Sequence, residues 1–264
     1  MQNKAIAIFG GSFNPPLNSH LELAKQIIKN LNYIKKIIFV PVSTKYDRKN
    51  NLIDDAHRYN MLKLMCKQEK NLEVSDIELN YKRQLYTIET LDIFKNKYPE
   101  YDIYFIMGTD NLKELSTWKE PERILKDYKI IVLERENDKL EEIIEREELL
   151  KKNKTSLIKT EKIKSIKLSS TIIREKIKNG ENVEEFFKKE VLEYINKNGL
   201  YKNATIAIAF EISSFYSETQ IGENKGRLRR FVLFLYLKFN KFINSFCKTT
   251  FFNRFLSCIF CNTF

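Results

Sequence analysis

Short apolar runs that alternate with longer, helix-periodic segments constrain this chain more than any other feature. The runs "AIAIFG", "KKIIFVP", "LEVSDIEL", "DIYFIMG", "KIIVLER" and, more weakly, "TSLIKT" have the length and composition of strands. Between them, over 21–30, 57–69, 88–97, 121–128 and 140–151, apolar residues recur at helical intervals. Strands separated by helices become parallel neighbours, and a parallel sheet is covered on both faces. The pattern predicts an α/β fold, a doubly wound parallel sheet, over residues 1–201. Two late segments, "KLSSTIIREKIKNG" and "VEEFFKKEVLEYINKNG", each predict a helix stopped by glycine, the first with a serine cap. The sequence shows no internal repeat.

After Tyr201 the character changes. The extension 202–264 is crowded with Phe, and from 226 onward it carries no acidic residue. Its longest unbroken apolar stretch, 231–237, is seven residues, whereas a membrane span needs roughly 20. Three readings stand: an interfacial membrane anchor, a partner-docking segment, or an appended stretch of no selected function. The favoured reading is the last, so membrane contact is not expected.

The net charge of +11 is uneven: nine Lys/Arg against three Glu from Lys202 onward leave only +5 for residues 1–201. That modest balance suits an anionic substrate. No basic stripe with interleaved aromatics appears in the first part, which argues against nucleic acid as a partner. The four cysteines are sparse, as in a reducing compartment, and the chain reads as cytoplasmic. "CIFC" lacks the further ligands a zinc site needs, so no metal site is assigned.

In an open parallel sheet, ligands bind beyond the carboxyl ends of the strands. The first strand is expected to end at Gly10, followed by Gly11, Pro15 and Pro16, with a helix from about Asn18–Ser19. Glycines let backbone amides approach a phosphate, and the helix aims its positive end at the same place. His20, one of only two histidines, would add a donor there; on local sequence alone it could equally be a plain first-turn residue. The spacing is neither GxGxxG nor a Walker motif.

"GGSFNPPLNSHL" resembles the first motif of the nucleotidylyltransferase superfamily, and most closely that of the nicotinate or nicotinamide mononucleotide adenylyltransferases. Three further segments resemble the same family in order: "YTIETL", "YFIMGTDNLKELSTWKEPERIL", and "LSSTIIREKIKNG" with "VLEYINKNGLY". The resemblance spans 1–201 and implies a Rossmann-like nucleotidylyltransferase catalytic domain. It further implies adenylyl transfer from ATP to nicotinate mononucleotide, giving deamido-NAD and pyrophosphate, with Mg²⁺ carried on the ATP.

The resemblance also implies site residues. Gly10, Gly11, Ser12 and Phe13 would offer backbone amides to ATP, and His20 would grip its phosphates. Ser169, Ser170 and Thr171 would cap the late helix and donate to the β- and γ-phosphates, with Arg174 one turn along. Gly108 and Asp110 would meet the ribose or adenine side of ATP. Tyr86, Thr87 and Trp118 would line the mononucleotide pocket, the indole stacking on the pyridine ring. Lys45 and Arg135 are candidates for the mononucleotide phosphate or carboxylate. His57, in a helix start resembling the family's H-R-x-x-M-L, reads as structural. Each has a plainer alternative: a helix cap for Asp110 and the Ser pair, core packing for Trp118, surface charge for Lys45 and Arg135.

The chain departs from the motif at Leu17, where the first histidine is replaced, at Ser19 for glycine, and at Leu85 before Tyr86. One lost charge-assisted donor to phosphate costs about 1.5–3 kcal/mol, roughly ten- to a hundredfold in rate. An alternative reading is therefore a catalytically weakened nucleotide-binding module with a membrane- or partner-binding tail. "GSFNP" resembles the eukaryotic-type mononucleotide enzymes, but the longer downstream matches resemble the bacterial nicotinate type and favour the acid; an enzyme preferring nicotinamide mononucleotide is the further alternative.

Overall fold

The computed structural model describes residues 3–45, 52–135, 138–160 and 169–202. The expectations for the extension beyond Lys202, including "CIFC", lie outside the described residues.

Six strands form one sheet in the order β3-β2-β1-β4-β5-β6, every pairing parallel. They are β1 (Ala5–Gly11), β2 (Ile34–Pro41), β3 (Leu72–Val74), β4 (Asp102–Gly108), β5 (Lys129–Leu133) and β6 (Leu157–Lys159). The order reverses between β1 and β4, which pair from Ala5–Asp102 to Phe9–Ile106. That is the switch point where such sheets open a crevice.

Strand alternation splits the core in two. Ala5, Ala7 and Phe9 of β1 enter one cluster with Ile37, Phe39, Tyr104 and Ile106. Ile6 and Ile8 enter the other with Ile38, Val40, Ile103, Phe105 and Met107. Successive side chains of a strand point to opposite faces, so only a sheet covered on both sides uses such continuous apolar runs. The first face is covered by α1 (Asn18–Asn30), α2 (Asp55–Cys66), α8 (Ser170–Lys178) and α9 (Lys189–Lys197). The second is covered by α3 (Thr87–Lys97), α4 (Thr109–Lys113), α5 (Pro121–Asp127), α6 (Leu140–Arg146) and α7 (Glu148–Lys152).

Three predicted elements change on inspection. The expected strand "LEVSDIEL" keeps only Leu72–Val74, because the Asp76 carbonyl accepts the amides of Leu79 and Asn80 and turns the chain. The expected helix over 140–151 is two, parted by extended backbone at Glu147. In "VEEFFKKEVLEYINKNG" the chain makes a 3₁₀ turn, Glu184–Phe186, then extends at Phe187, which is buried in the first core cluster, before α9 begins. Both glycine stops hold: Gly180 and Gly199 adopt φ of +74° and +61°. No helix among the described residues is long and apolar enough to cross a membrane.

Candidate active site

The loop joining β1 to α1 is held by side chains from several distant elements. Gly10 and Gly11 close β1, one residue further than expected. A Cβ on Gly10 would lie 3.2 Å from the Phe105 ring, and one on Gly11 3.0 Å from the Phe13 ring. These glycines thus leave room for the two aromatic rings, whatever else their amides do. Phe13 has φ of +45°, the left-handed region that costs a residue with a side chain about 1–2 kcal/mol. It is nonetheless buried, its ring edge-on to Phe9, Phe39 and His20.

Four side chains from elsewhere fasten this loop. The Arg58 guanidinium, fully buried, donates to the Ser12 carbonyl oxygen (2.9 Å). Arg174 donates through Nη1 to the Asn14 carbonyl oxygen (2.7 Å) and through Nη2 to Thr171 Oγ1 (3.1 Å). The Ser170 hydroxyl donates to the Pro15 carbonyl oxygen (2.9 Å), and the Tyr201 hydroxyl to Asn14 Oδ1 (2.8 Å). The N-terminus of α8, capped by Ser169 Oγ accepting from the Thr171 amide (3.2 Å), is thereby docked on the loop. This revises one expectation: the Ser170 hydroxyl hydrogen is spent on Pro15 rather than being aimed at a ligand.

His20 sits in the first turn of α1. Its Nδ1 accepts the Leu17 amide (3.0 Å), the reciprocal half of a capping box. The ring proton is thereby assigned to Nε2. Burial, then the Arg135 charge, push its pKa down from 6.5 to about 4, so it is a neutral donor at pH 7. Leu17 is 1% exposed and belongs to the first core cluster, so this position supplies packing through its side chain and polar contacts only through its backbone.

The ends of β4 and β5 meet the same place. Gly108 ends β4, and the Asp110 carboxylate folds back so far that a Cβ on Gly108 would lie 2.3 Å from its Oδ1. Asp110 pairs with the Arg135 guanidinium (3.5 Å), and the Arg135 amide donates to Thr109 Oγ1 (3.1 Å). Arg135 thus stands beside Asp110 at the ends of β4 and β5, and its charge acts on His20. Among the described residues, no group of three or more His, Cys, Asp or Glu side chains could hold a metal.

The remaining candidates come from three other stretches of the chain. Tyr86 caps α3 and is 52% exposed; its amide donates to Glu89 (2.8 Å), whose carboxyl Arg83 holds down at about 2. Thr87 opens that helix. Trp118 is half-buried, packed against the second core cluster and edge-on to Phe105 (6.3 Å), the ring that also lies against Gly10. Lys45 donates to the Tyr81 carbonyl oxygen in the loop before α3. His57 is structural as expected, its Nδ1 joined to the Tyr194 hydroxyl (2.9 Å) across α2 and α9.

Sequence reasoning missed Arg58, Asp55 and Tyr201. A signal existed for the first: Arg58, Met61, Leu62 and Met65 stand at i, i+3, i+4 and i+7, so helical periodicity places the arginine on the buried face.

A six-stranded parallel sheet with its crevice at the β1/β4 switch and a phosphate-suited loop defines a nucleotide-binding α/β protein. Residues 8–176 match the family model described as cytidylyltransferase-like, and the chain belongs to that family. A probable nicotinate-nucleotide adenylyltransferase of Clostridium tetani is 35% identical over 201 residues, 75% of this chain and all of that one. One of Clostridium botulinum (strain Okra) is 36% identical over 209 residues, 76% of this chain and all of its own. Among solved structures, Plasmodium falciparum nicotinic acid mononucleotide adenylyltransferase complexed with NaAD superposes with TM-score 0.60 at 24% identity. The same enzyme complexed with APC gives 0.59 at 25%; each covers 75% of this chain and 98% of the other. Within its family the chain belongs with the nicotinate-nucleotide adenylyltransferases.

Proposed function

We propose that the protein transfers the adenylyl group of ATP to nicotinate mononucleotide, giving deamido-NAD and pyrophosphate for NAD biosynthesis. One observation carries this reading: Arg174 and Ser170 dock the N-terminus of α8 onto the β1–α1 loop at the switch point. This supports a reading in which two anion-suited backbone segments and the His20 imidazole face the same ligand.

The mononucleotide phosphate is ionised at neutral pH, so it needs no general base. One of its oxygens bonds to the α-phosphorus while the bond to the β-phosphate oxygen breaks, and pyrophosphate leaves with the electron pair. The protein's task is alignment and stabilisation of the charge growing on the leaving group. In our assignment the amides of Gly10, Gly11, Ser12 and Phe13, the His20 Nε2–H and the start of α8 from Ser169 through Thr171 surround the triphosphate. Arg174 and Arg135 add positive charge, and Gly108 with Asp110 meets the ribose. Trp118, Tyr86 and Thr87 receive the pyridine ring, with Lys45 at the edge of that wall. Mg²⁺ enters on the phosphates of ATP with most of its water; the Asp110 carboxylate is engaged by Arg135 rather than gathered with other acids. No nucleic acid takes part, and a cytoplasmic location belongs to the same proposal.

The test uses the full chain with ATP and Mg²⁺. Pyrophosphate and deamido-NAD should appear in equal amounts with nicotinate mononucleotide and at least tenfold more slowly with nicotinamide mononucleotide. ATP binding without turnover on either would replace this reading with that of a nucleotide-binding module.

A further inference from the structure

We propose that Arg58 is a positioning residue for adenylyl transfer, acting through the Ser12–Phe13 peptide. The proposal rests on the reading of the reaction given above. Arg58 emerges from the first turn of α2 and is 0% exposed. Its three donor groups are each used: Nη1 on the Ser12 carbonyl oxygen (2.9 Å), Nε on the Ile53 carbonyl oxygen (3.1 Å), and Nη2 on Asp55 Oδ1. Asp55 also accepts from the Thr44 amide (2.7 Å) and the Ser43 hydroxyl (3.0 Å), in the loop that follows β2. One ion pair, buried at its arginine end, therefore ties together the chain leaving β1 and the chain leaving β2.

The consequence follows from the planarity of the peptide. In a trans peptide the carbonyl and the following N–H point in opposite directions. Arg58 pulls the Ser12 oxygen inward, toward the interior in which the guanidinium is buried. The Phe13 N–H is thereby aimed outward, over the carboxyl end of β1, where the triphosphate is placed. Phe13 holds a left-handed φ that its side chain disfavours, and such a conformation persists only where its surroundings over-determine it. A buried arginine is costly to desolvate and is weak evidence for stability as such. Here its forked geometry fixes a peptide orientation that a point charge on a flexible stem would not.

The experiment compares Arg58→Lys with Met65→Ala, a control two turns further along the same buried face of α2 with no polar group to offer the loop. Steady-state kinetics are run on both at a temperature at which circular dichroism shows each to be folded. Arg58→Lys should lower kcat/KM for ATP ten- to a hundredfold while the KM for the mononucleotide stays within twofold. Met65→Ala should keep its turnover despite a comparable fall in Tm. Unchanged kcat/KM in folded Arg58→Lys, or an equal loss in the control, would overturn the proposal. Should Arg58→Lys not fold, the wild-type full chain decides. A non-hydrolysable ATP analogue should shift the Phe13 amide resonance together with those of Gly108 and Asp110. A silent Phe13 amide beside shifted β4-end amides would overturn the positioning role alone, whereas silence at all of them would overturn the nucleotide reading too.

Discussion

The two walls of the crevice are built in different ways. On one wall the loop from Ser12 to Pro15 is fastened by Arg58, Arg174, Ser170 and Tyr201, drawn from α2, α8 and the residue that follows Leu200. On the other, Tyr86 is half-exposed, Trp118 makes a single edge-on ring contact with Phe105, and Lys45 rests on a carbonyl of a neighbouring loop. We propose that the first wall is set before any ligand arrives and that the second adjusts when one binds. The difference suits the chemistry: charge stabilisation in transfer depends on dipoles that need no reorganisation, whereas recognition of a flat ring tolerates adjustment.

The sharpest break of this contrast is His20→Ala. It should lower kcat about a hundredfold or more, with thermal unfolding showing only a small change in Tm; wild-type turnover would remove the imidazole from the preset wall. Arg174→Ala comes next. Because it loosens α8 from the loop and also removes a charge, it should weaken binding of an ATP analogue about tenfold, read by calorimetry, with mononucleotide binding little affected. On the adjustable wall, Trp118→Ala should raise the KM for nicotinate mononucleotide about tenfold with kcat nearly kept, in line with a stacking energy of about 1 kcal/mol. Trp118→Phe should recover most of that loss, and a kcat effect as large as that of His20→Ala would erase the distinction between the walls.

The smallest effect is on pH-dependent stability. Burial pushes the Glu78 carboxyl up from 4.5 to about 7, opposed by the Thr90 hydroxyl bond. The folded state thus keeps a proton that the unfolded chain has lost. That contribution is fully present below pH 4.5 and is lost as pH rises through about 7. His20 runs the other way: its contribution is present above pH 6.5 and is lost as pH falls through about 4. Glu78→Gln should flatten the decline of Tm on the neutral side and leave the acid limb in place; a change confined to the acid limb would contradict the assignment.

The fold was readable because its signal is local. Strand-length apolar runs and helix-periodic intervals both arise within a few residues, and "DIYFIMG" became Asp102–Gly108 without adjustment. "LEVSDIEL" misled because an edge strand can end wherever a carbonyl, here that of Asp76, offers the following amides a turn. At the site, the motif residues His20, Asp110, Trp118 and Arg174 stood in short family-like segments and could be named. What holds them did not: Tyr201 lies 187 positions from Asn14 and Arg58 lies 46 from Ser12. Contacts across such separations leave no pattern in a single sequence, and Arg58 alone betrayed itself, through its place on an apolar helical face. Arg135 shows the same limit, for only the fold put it beside Asp110.

The central claim is that the His20 imidazole stands in a preset wall facing the triphosphate. The direct measurement is the titration of that imidazole by NMR in the full chain, with and without a non-hydrolysable ATP analogue. In the free protein it should titrate near 4, and the anion should carry the midpoint upward by a unit or more, about the shift that a close opposite charge produces. A midpoint that stays near 4 with the analogue bound would place the imidazole away from the phosphates and contradict the account.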